Sequence, residues 1–331
     1  MSLLEVRDLH VWFDLPDGGE LHAVQNVGFS LDAGERLGLV GESGCGKTTA
    51  ILTIMGLLPS SATVAGDVRI AGESVLAEGE ESVRSHRWND VAMVFQGAMN
   101  ALNPVKTVEQ QIIEPMEFHE VAEGEEARYE ARRLLEMVGI PRQAGGRYPH
   151  EFSGGMRQRA ALAMALACNP KVLLADEPTT ALDVMVQAQI LELLVGLSDE
   201  LGLALVLVTH DLPVVAQVCD RAAVMYAGEI VETGLVDDLF HDPRHPYTRL
   251  LFAATPDLYG DEEVVSIPGA PPRLDREILG CPFQPRCDRA FDRCIRERPV
   301  LRHVHADRLA ACHLNDLAAG NSDVHRTRAT K

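Results

Sequence analysis

What this 331-residue chain does not contain is the first guide to what it does. No stretch reaches the roughly 18 apolar residues that a membrane span requires. The longest, Ala160–Cys168, has the length and small side chains of a helix in a protein core. The opening Met1-Ser2-Leu3-Leu4-Glu5 runs straight into a strand-like pattern, without the leader of a secreted protein. A chain read this way belongs in the cytosol, peripheral to a membrane at most. Basic charge is also scarce: 30 Lys and Arg face 49 Asp and Glu, a net charge of −19. An acidic body repels phosphate backbones, which argues against nucleic acid as the main partner.

Close cysteine pairs are missing too. Of seven cysteines, Cys45, Cys168 and Cys219 are scattered through the body of the chain. The other four, Cys281, Cys287, Cys294 and Cys312, crowd into one C-x5-C-x6-C-x17-C frame. Disulfides do not suit a cytosolic chain. Structural zinc usually takes a C-x2–4-C pair, which this frame lacks. A [4Fe–4S] cluster also takes four thiolates and tolerates varied spacing. On spacing alone an iron–sulfur cluster, zinc and plain buried thiols all remain open. His303, His305 and His313 lie close enough in sequence to join a mixed zinc site.

What is present is chemistry at the ends of apolar runs. Arg36-Leu37-Gly38-Leu39-Val40 reads as a buried strand. Gly41-Glu42-Ser43-Gly44-Cys45-Gly46-Lys47-Thr48 follows, and Thr49-Ala50-Ile51-Leu52 continues a helix. This is GxxxxGK[ST] between a strand and a helix, as a phosphate loop requires. Glycines let backbone N–H groups converge on phosphate oxygens, and the helix N-terminus adds positive potential. Lys47 is then expected to reach the β- and γ-phosphates, and Thr48 to ligate Mg²⁺.

Three more apolar runs end in useful groups. Val172–Ala175 leads to Asp176 and Glu177, a metal carboxylate and a base for water. Leu203–Val208 leads to Thr209-His210, and Val91–Phe95 leads to Gln96. Each is weak alone: an acidic pair, a histidine or a glutamine at a strand end is commonly structural or solvated. Together they are the groups that phosphoryl transfer needs. About a hundred residues after the phosphate loop, Ser153 precedes Gly154-Gly155 and an Ala-rich segment, Gln158–Cys168, that reads as a buried helix. Ser153 suits an N-cap, and bare glycines leave N–H groups free for an anion.

In these motifs the chain resembles the ATP-binding cassette ATPases, from about residue 3 to residue 240. Gly41–Thr48 is similar to Walker A, Gln96 to the Q-loop glutamine, Ser153–Gln158 to the signature, Val172–Asp176 with Glu177 to Walker B, Thr180–Asp183 to the D-loop, and His210 to the switch histidine. The resemblance implies an α/β fold: a P-loop NTPase core with an antiparallel β subdomain and a helical subdomain at about 97–168. It implies ATP and Mg²⁺, with Thr48, Gln96 and Asp176 at the metal, and Glu177, His210 and Gln96 as catalytic groups. Gly41, Ser43, Gly44, Cys45, Gly46, Lys47, Thr48 and Thr49 would cradle phosphates. Phe13, or less readily Trp12, would stack on adenine. Two subunits would bind head to tail, so that Ser153, Gly154, Gly155 and Asp183 serve ATP held by the partner. The signature reads FSGGM where LSGGQ is common, and the D-loop opens on Thr180 where Ser is common; neither change removes a catalytic group.

The chain resembles more narrowly the oligopeptide/dipeptide importer branch. Asn100–Pro104 with Thr107–Ile112, Phe152–Arg159, His245-Pro246-Tyr247-Thr248, Ile267–Pro272 and the cysteine frame carry this. It implies a Cys-rich C-terminal extension at 241–316 and a [4Fe–4S] cluster on Cys281, Cys287, Cys294 and Cys312, ahead of zinc. It implies a second ATPase subunit, commonly a different chain, two membrane permeases, and a substrate-binding protein outside the cell. The place of action is then the inner face of the cell membrane. Nickel importers and some sugar importers share this subunit type, so a peptide cargo is an expectation. Non-transport cassette proteins bring twin cassettes, long coiled coils or a basic face, and none is visible. The polar segment 317–331 reads as a disordered tail.

Overall fold

The computed structural model describes residues 2–76, 80–97, 101–254, 266–305 and 307–316. Residues 317–331 and Asn100 lie outside them. The elements run β1 (Leu4–Asp14), β2 (Glu20–Leu31), β3 (Arg36–Val40), α1 (Lys47–Ile54), β4 (Ala62–Ile70), β5 (Glu73–Ser74), α2 (Glu80–His86) and β6 (Val91–Val94). A helical block follows: α3 (Val108–Phe118), α4 (Gly124–Met137) and α5 (Gly154–Ala165). Then come β7 (Val172–Asp176), α6 (Val184–Leu201), β8 (Ala204–Thr209), α7 (Leu212–Val218), β9 (Arg221–Tyr226), β10 (Glu229–Leu235), α8 (Val236–His241) and α9 (Pro246–Ala253). The chain closes with α10 (Asp292–Arg296), β11 (Arg302–His305) and β12 (Arg308–Ala310).

Two sheets organise these elements. β2-β1-β4-β5 is antiparallel; the larger sheet runs β11-β12-β10-β9-β3-β8-β7-β6. Its centre is parallel, and its strands are apolar throughout because both faces are covered. In β8, Leu205 and Leu207 join the core shared with the helical block. Their neighbours Val206 and Val208 join the core under the antiparallel sheet and α1. This alternation is the strand period of two.

The helical block packs as the periodicity predicts: Ala127, Ala131, Leu134, Leu135 and Val138 are all buried. The Ala-rich helix differs from expectation at both ends. It begins at Gly154 and stops at Ala165, not Cys168. Asn169 takes a left-handed φ of 56° and Pro170 follows, and both oppose continuation of a helix.

The C-terminal residues are continuous with the main sheet. β12 pairs antiparallel with β10, placing Ala310 opposite Glu232. Arg308 reaches the fully buried Glu232 carboxylate at 2.9 Å. That carboxylate also accepts from the backbone N–H groups of Arg244 and His245. A buried carboxylate satisfied this fully ties β12 to β10 and to the start of α9. Among the described residues no helix is long and apolar enough to cross a membrane.

Candidate nucleotide site

Parallel pairing brings the ends of the strands to one edge. Val40 of β3 lies opposite Thr209 of β8, and Asp176 of β7 opposite Val208. The phosphate loop, Glu177 and His210 therefore leave the sheet side by side, where open α/β sheets bind ligands.

The loop turns from β3 into α1. Gly46 sits at φ 105°, and a Cβ there would lie 2.5 Å from the Ala23 carbonyl oxygen, so only glycine closes this turn. Ser43, Gly44 and Thr48 are exposed, whereas Cys45 is buried. Burial pushes the Cys45 thiol up, which makes it an inert packing group. Lys47 is buried, and its Nζ donates to the carbonyls of Gly41 at 2.7 Å and Glu42 at 3.0 Å.

Thr48 Oγ1 donates to Asp176 Oδ1 at 3.2 Å. Burial, aided by the Glu177 charge, pushes the Asp176 carboxyl above its usual range in spite of the Thr48 bond and Lys47. A buried carboxylate in this condition gains from a nearby cation. A hydroxyl and one carboxylate suit Mg²⁺, which takes few protein ligands and completes its shell with water and phosphate oxygens.

Glu177 follows at φ 44°, a left-handed conformation uncommon for a glutamate. Its N–H donates to the Val208 carbonyl at 2.9 Å, which ties this turn to β8. Its carboxylate gathers three side chains. His210 Nδ1 is 2.8 Å from Oε1, and Oε2 accepts from Gln96 Nε2 at 2.9 Å and Thr180 Oγ1 at 3.0 Å. Burial alone raises this carboxyl, but the His210 and Thr180 bonds, with the His210 and Lys47 charges, hold it below the usual range.

The second motif stands apart. Ser153 caps α5, its Oγ accepting from Met156 N–H at 3.3 Å. Asp183 caps α6 in the same way, from Val186 N–H at 2.9 Å. A Cβ on Gly155 would meet Val186 Cγ1 at 2.6 Å, so the glycine lets the starts of these two helices touch. No hydrogen bond joins Ser153, Gly154, Gly155 or Asp183 to the phosphate loop among the described residues. Phe13 packs against the core that holds Cys45 and Ile51. Trp12 points to the other face of β1 and stacks on His22 at 4.6 Å.

The sequence reading gave four residues no contact at this site: Thr180 bonds Glu177 directly, Tyr247 and Arg286 bond Glu42, and Tyr226 bonds Arg286. The motif containing Tyr247 was visible in the sequence. Nothing local marked Arg286 or Tyr226.

A phosphate loop, a Walker B acid pair, a Q-loop glutamine and a switch histidine on one sheet edge define an ABC-type ATPase. The chain matches the ABC transporter family over residues 24–180, and the family described as the C-terminal region of oligopeptide/dipeptide transporters over residues 231–294. It is 46% identical to the oligopeptide transport ATP-binding protein OppD of Escherichia coli, over 94% of this chain and 93% of that one. It is 47% identical to OppD of Bacillus subtilis, over 91% and 86%. The solved dimer of the ATP-binding cassette MJ0796 with ADP and Pi superposes with a TM-score of 0.63 at 30% identity, covering 70% of this chain and 98% of that one. The chain belongs to the ABC transporter ATP-binding proteins, in the oligopeptide/dipeptide branch, and is an ATPase of that family.

Proposed function

We propose that this chain is the ATP-hydrolysing motor subunit of an importer of di- and oligopeptides. One observation carries the reading: Lys47, Thr48, Asp176, Glu177, Gln96 and His210 meet at one sheet edge in a chain with the C-terminal region of peptide transporters.

The chemistry follows from the residues. Lys47 leaves the Gly41 and Glu42 carbonyls for the β- and γ-phosphates. Thr48, Asp176 and Gln96 would hold Mg²⁺, which neutralises charge on those phosphates. Glu177, kept ionised, takes the proton of the attacking water. His210 and Gln96 aim the carboxylate from either side and meet the γ-phosphate in the loaded site. The N-terminus of α5, unconnected to its own phosphate loop, is free to face the γ-phosphate held by a second cassette, in this branch commonly a different chain. Ser43, Gly44, Cys45, Gly46 and Thr49 supply the cradle, Phe13 stacks on adenine, and Asp183 stands at the dimer seam.

A groove of about 450 Å³ lies between Arg84, Arg87 and Trp88 on one side and Phe118, His119 and Met164 on the other. Its apolar floor and basic rim, between the flank of β6 and the helical block, support docking of a permease at the inner membrane face.

Reconstitution with two permeases and the second ATPase tests the whole reading. Wild-type protein is expected to support ATP-dependent peptide uptake. Glu177→Gln is expected to bind ATP, trap the closed dimer and hydrolyse more slowly by roughly 10²-fold or more. Near-normal turnover in that variant would overturn the role of Glu177, and uptake of nickel without peptide would replace the cargo.

We infer further that Cys281, Cys287, Cys294 and Cys312 hold a [4Fe–4S] cluster. All four line one small cavity with His245, Pro246, Phe283, Pro299 and His313, and no carboxylate reaches into it. None is in a disulfide. Among the described residues no three His, Cys, Asp or Glu side chains form a metal-binding group, so the reading rests on the four-cysteine frame that the chain shares with the importer branch. Burial first, then the neighbouring thiols, pushes Cys281 to about 12 and Cys312 to about 11, so a bound cation is needed to hold them as thiolates. Anaerobic purification is expected to give a brown protein with matching iron and sulfide; a colourless protein with one zinc would sink the cluster.

A further inference from the structure

Glu42 is the only acidic residue in the phosphate loop. A carboxylate beside bound triphosphate repels it, so its treatment matters. Every polar group of Glu42 is taken. Its N–H donates to Tyr247 Oη at 2.9 Å. Its carbonyl accepts from Lys47 Nζ. Its carboxylate accepts two bonds from one guanidinium: Arg286 Nη1 to Oε2 at 2.6 Å and Nη2 to Oε1 at 2.8 Å.

Arg286 is built for this contact. Its side chain is 4% exposed. Its Nε donates to the Pro268 carbonyl at 2.7 Å, and Nη1 also reaches Tyr226 Oη at 3.3 Å. Its guanidinium lies 5.7 Å from the Tyr226 ring and 5.9 Å from the Phe283 ring. Tyr247, fully buried, packs on the same two rings at 4.6 and 5.3 Å. Forked, desolvated pairs of this kind fix geometry as well as charge.

We propose that Arg286 and Tyr247, both C-terminal to the cassette's last central strands, are positioning residues of the ATP site. They cancel the one negative charge of the phosphate loop and pin its second residue, and thereby set the place from which Lys47 reaches the phosphates. The proposal rests on the phosphate-loop reading, so Lys47→Ala serves as the control for that reading itself.

The test uses the full chain, with MgADP affinity by calorimetry, ATP steady-state kinetics and thermal unfolding. Lys47→Ala is expected to abolish MgADP binding; if it binds normally, the nucleotide reading fails first. Arg286→Met leaves a half-buried carboxylate unpaired and is expected to weaken MgADP binding roughly tenfold or more, with the loss falling on KM more than on kcat. Glu42→Gln added to Arg286→Met removes the offending charge and is expected to restore most of the affinity. A purely structural loss would not be restored. Arg286→Lys keeps charge without the fork and is expected to fall between. Tyr247→Phe orphans the Glu42 N–H and is expected to weaken binding roughly threefold or more. Wild-type affinity in Arg286→Met below its unfolding midpoint would overturn the proposal. So would an equal loss in the double variant. If Arg286→Met does not fold, wild-type affinity in both Arg286→Lys and Tyr247→Phe overturns it.

Discussion

His210 Nδ1 lies 2.8 Å from Oε1 of Glu177, while Gln96 donates to the other carboxylate oxygen at 2.9 Å. Groups from the ends of β6, β7 and β8 thus meet on one carboxylate. The strand order β8-β7-β6 makes that meeting unavoidable.

Removing the imidazole therefore has two effects. His210→Ala is expected to slow ATP hydrolysis by roughly 10²-fold, as loss of an aimed base does. It is also expected to move the acidic limb of the pH–rate profile upward. The His210 bond is among the effects that hold Glu177 low against burial, and without it the carboxyl protonates at higher pH. A rate loss with an unmoved limb would separate His210 from Glu177.

Adenine stacking is assigned to one of two adjacent aromatics on opposite faces of β1. Phe13→Ala is expected to raise KM for ATP roughly tenfold, the cost of losing a base stack of about 1–3 kcal/mol. Trp12→Ala, which loses its stacks on His10 and His22, is expected to leave KM nearly unchanged. Steady-state kinetics of the two variants side by side would reverse the assignment if the order were inverted.

His245 makes stability depend on pH. It is buried, its Nδ1 accepts from the Tyr247 N–H at 3.0 Å, and burial lowers it from 6.5 to about 3. Above pH 6.5 neither folded nor unfolded chain binds this proton, and the contribution is complete. Between 6.5 and 3 the unfolded chain takes a proton that the folded chain refuses, so stability falls as the pH falls, by at most about 1.4 kcal/mol per pH unit. His245→Asn keeps the capping acceptor and loses the titration. Urea unfolding at stepped pH is expected to show a shallower fall in the variant.

Gly280 sets the shape of the thiol cavity. A Cβ there would lie 2.4 Å from the Cys294 carbonyl oxygen and 2.5 Å from that of Ile295. The next residue, Cys281, donates its N–H to the same Cys294 carbonyl at 2.8 Å. Gly280→Ala is expected to force these segments apart and to lower iron content below half of wild type in anaerobic preparations. Full iron loading in this variant would place the metal elsewhere.

The nucleotide site was legible in the sequence to the extent that its chemistry is local. Lys47 follows a glycine turn, Asp176 and Glu177 end an apolar run, and His210 ends another, so each announces itself within about ten residues. The helical block showed through the spacing of Ala127, Ala131, Leu134 and Leu135. The end of α5 was misjudged because apolar residues continue to Cys168, and Asn169-Pro170 acts through backbone geometry that hydropathy does not register. The bond from Thr180 to Glu177, the edge strands β11 and β12, and the contact of Arg286 with Glu42 were not legible. Such pairings depend on where the chain returns after long excursions, and no local pattern encodes a return.

Arg286 and Glu42 are 244 residues apart. On the ribosome the phosphate loop emerges early, and its counter-ion comes roughly 10–50 s later at ordinary rates of synthesis. Once β8 and β9 have paired with β3, and until Arg286 follows, the nascent chain carries a nucleotide cradle with a bare carboxylate in it. ATP, abundant throughout translation, meets a finished cradle only once Arg286, ahead of the last three cysteines, has been made. The order of synthesis thus sets a checkpoint: a chain interrupted before Arg286 holds every motif of the motor and still lacks the residue that makes its first loop receptive.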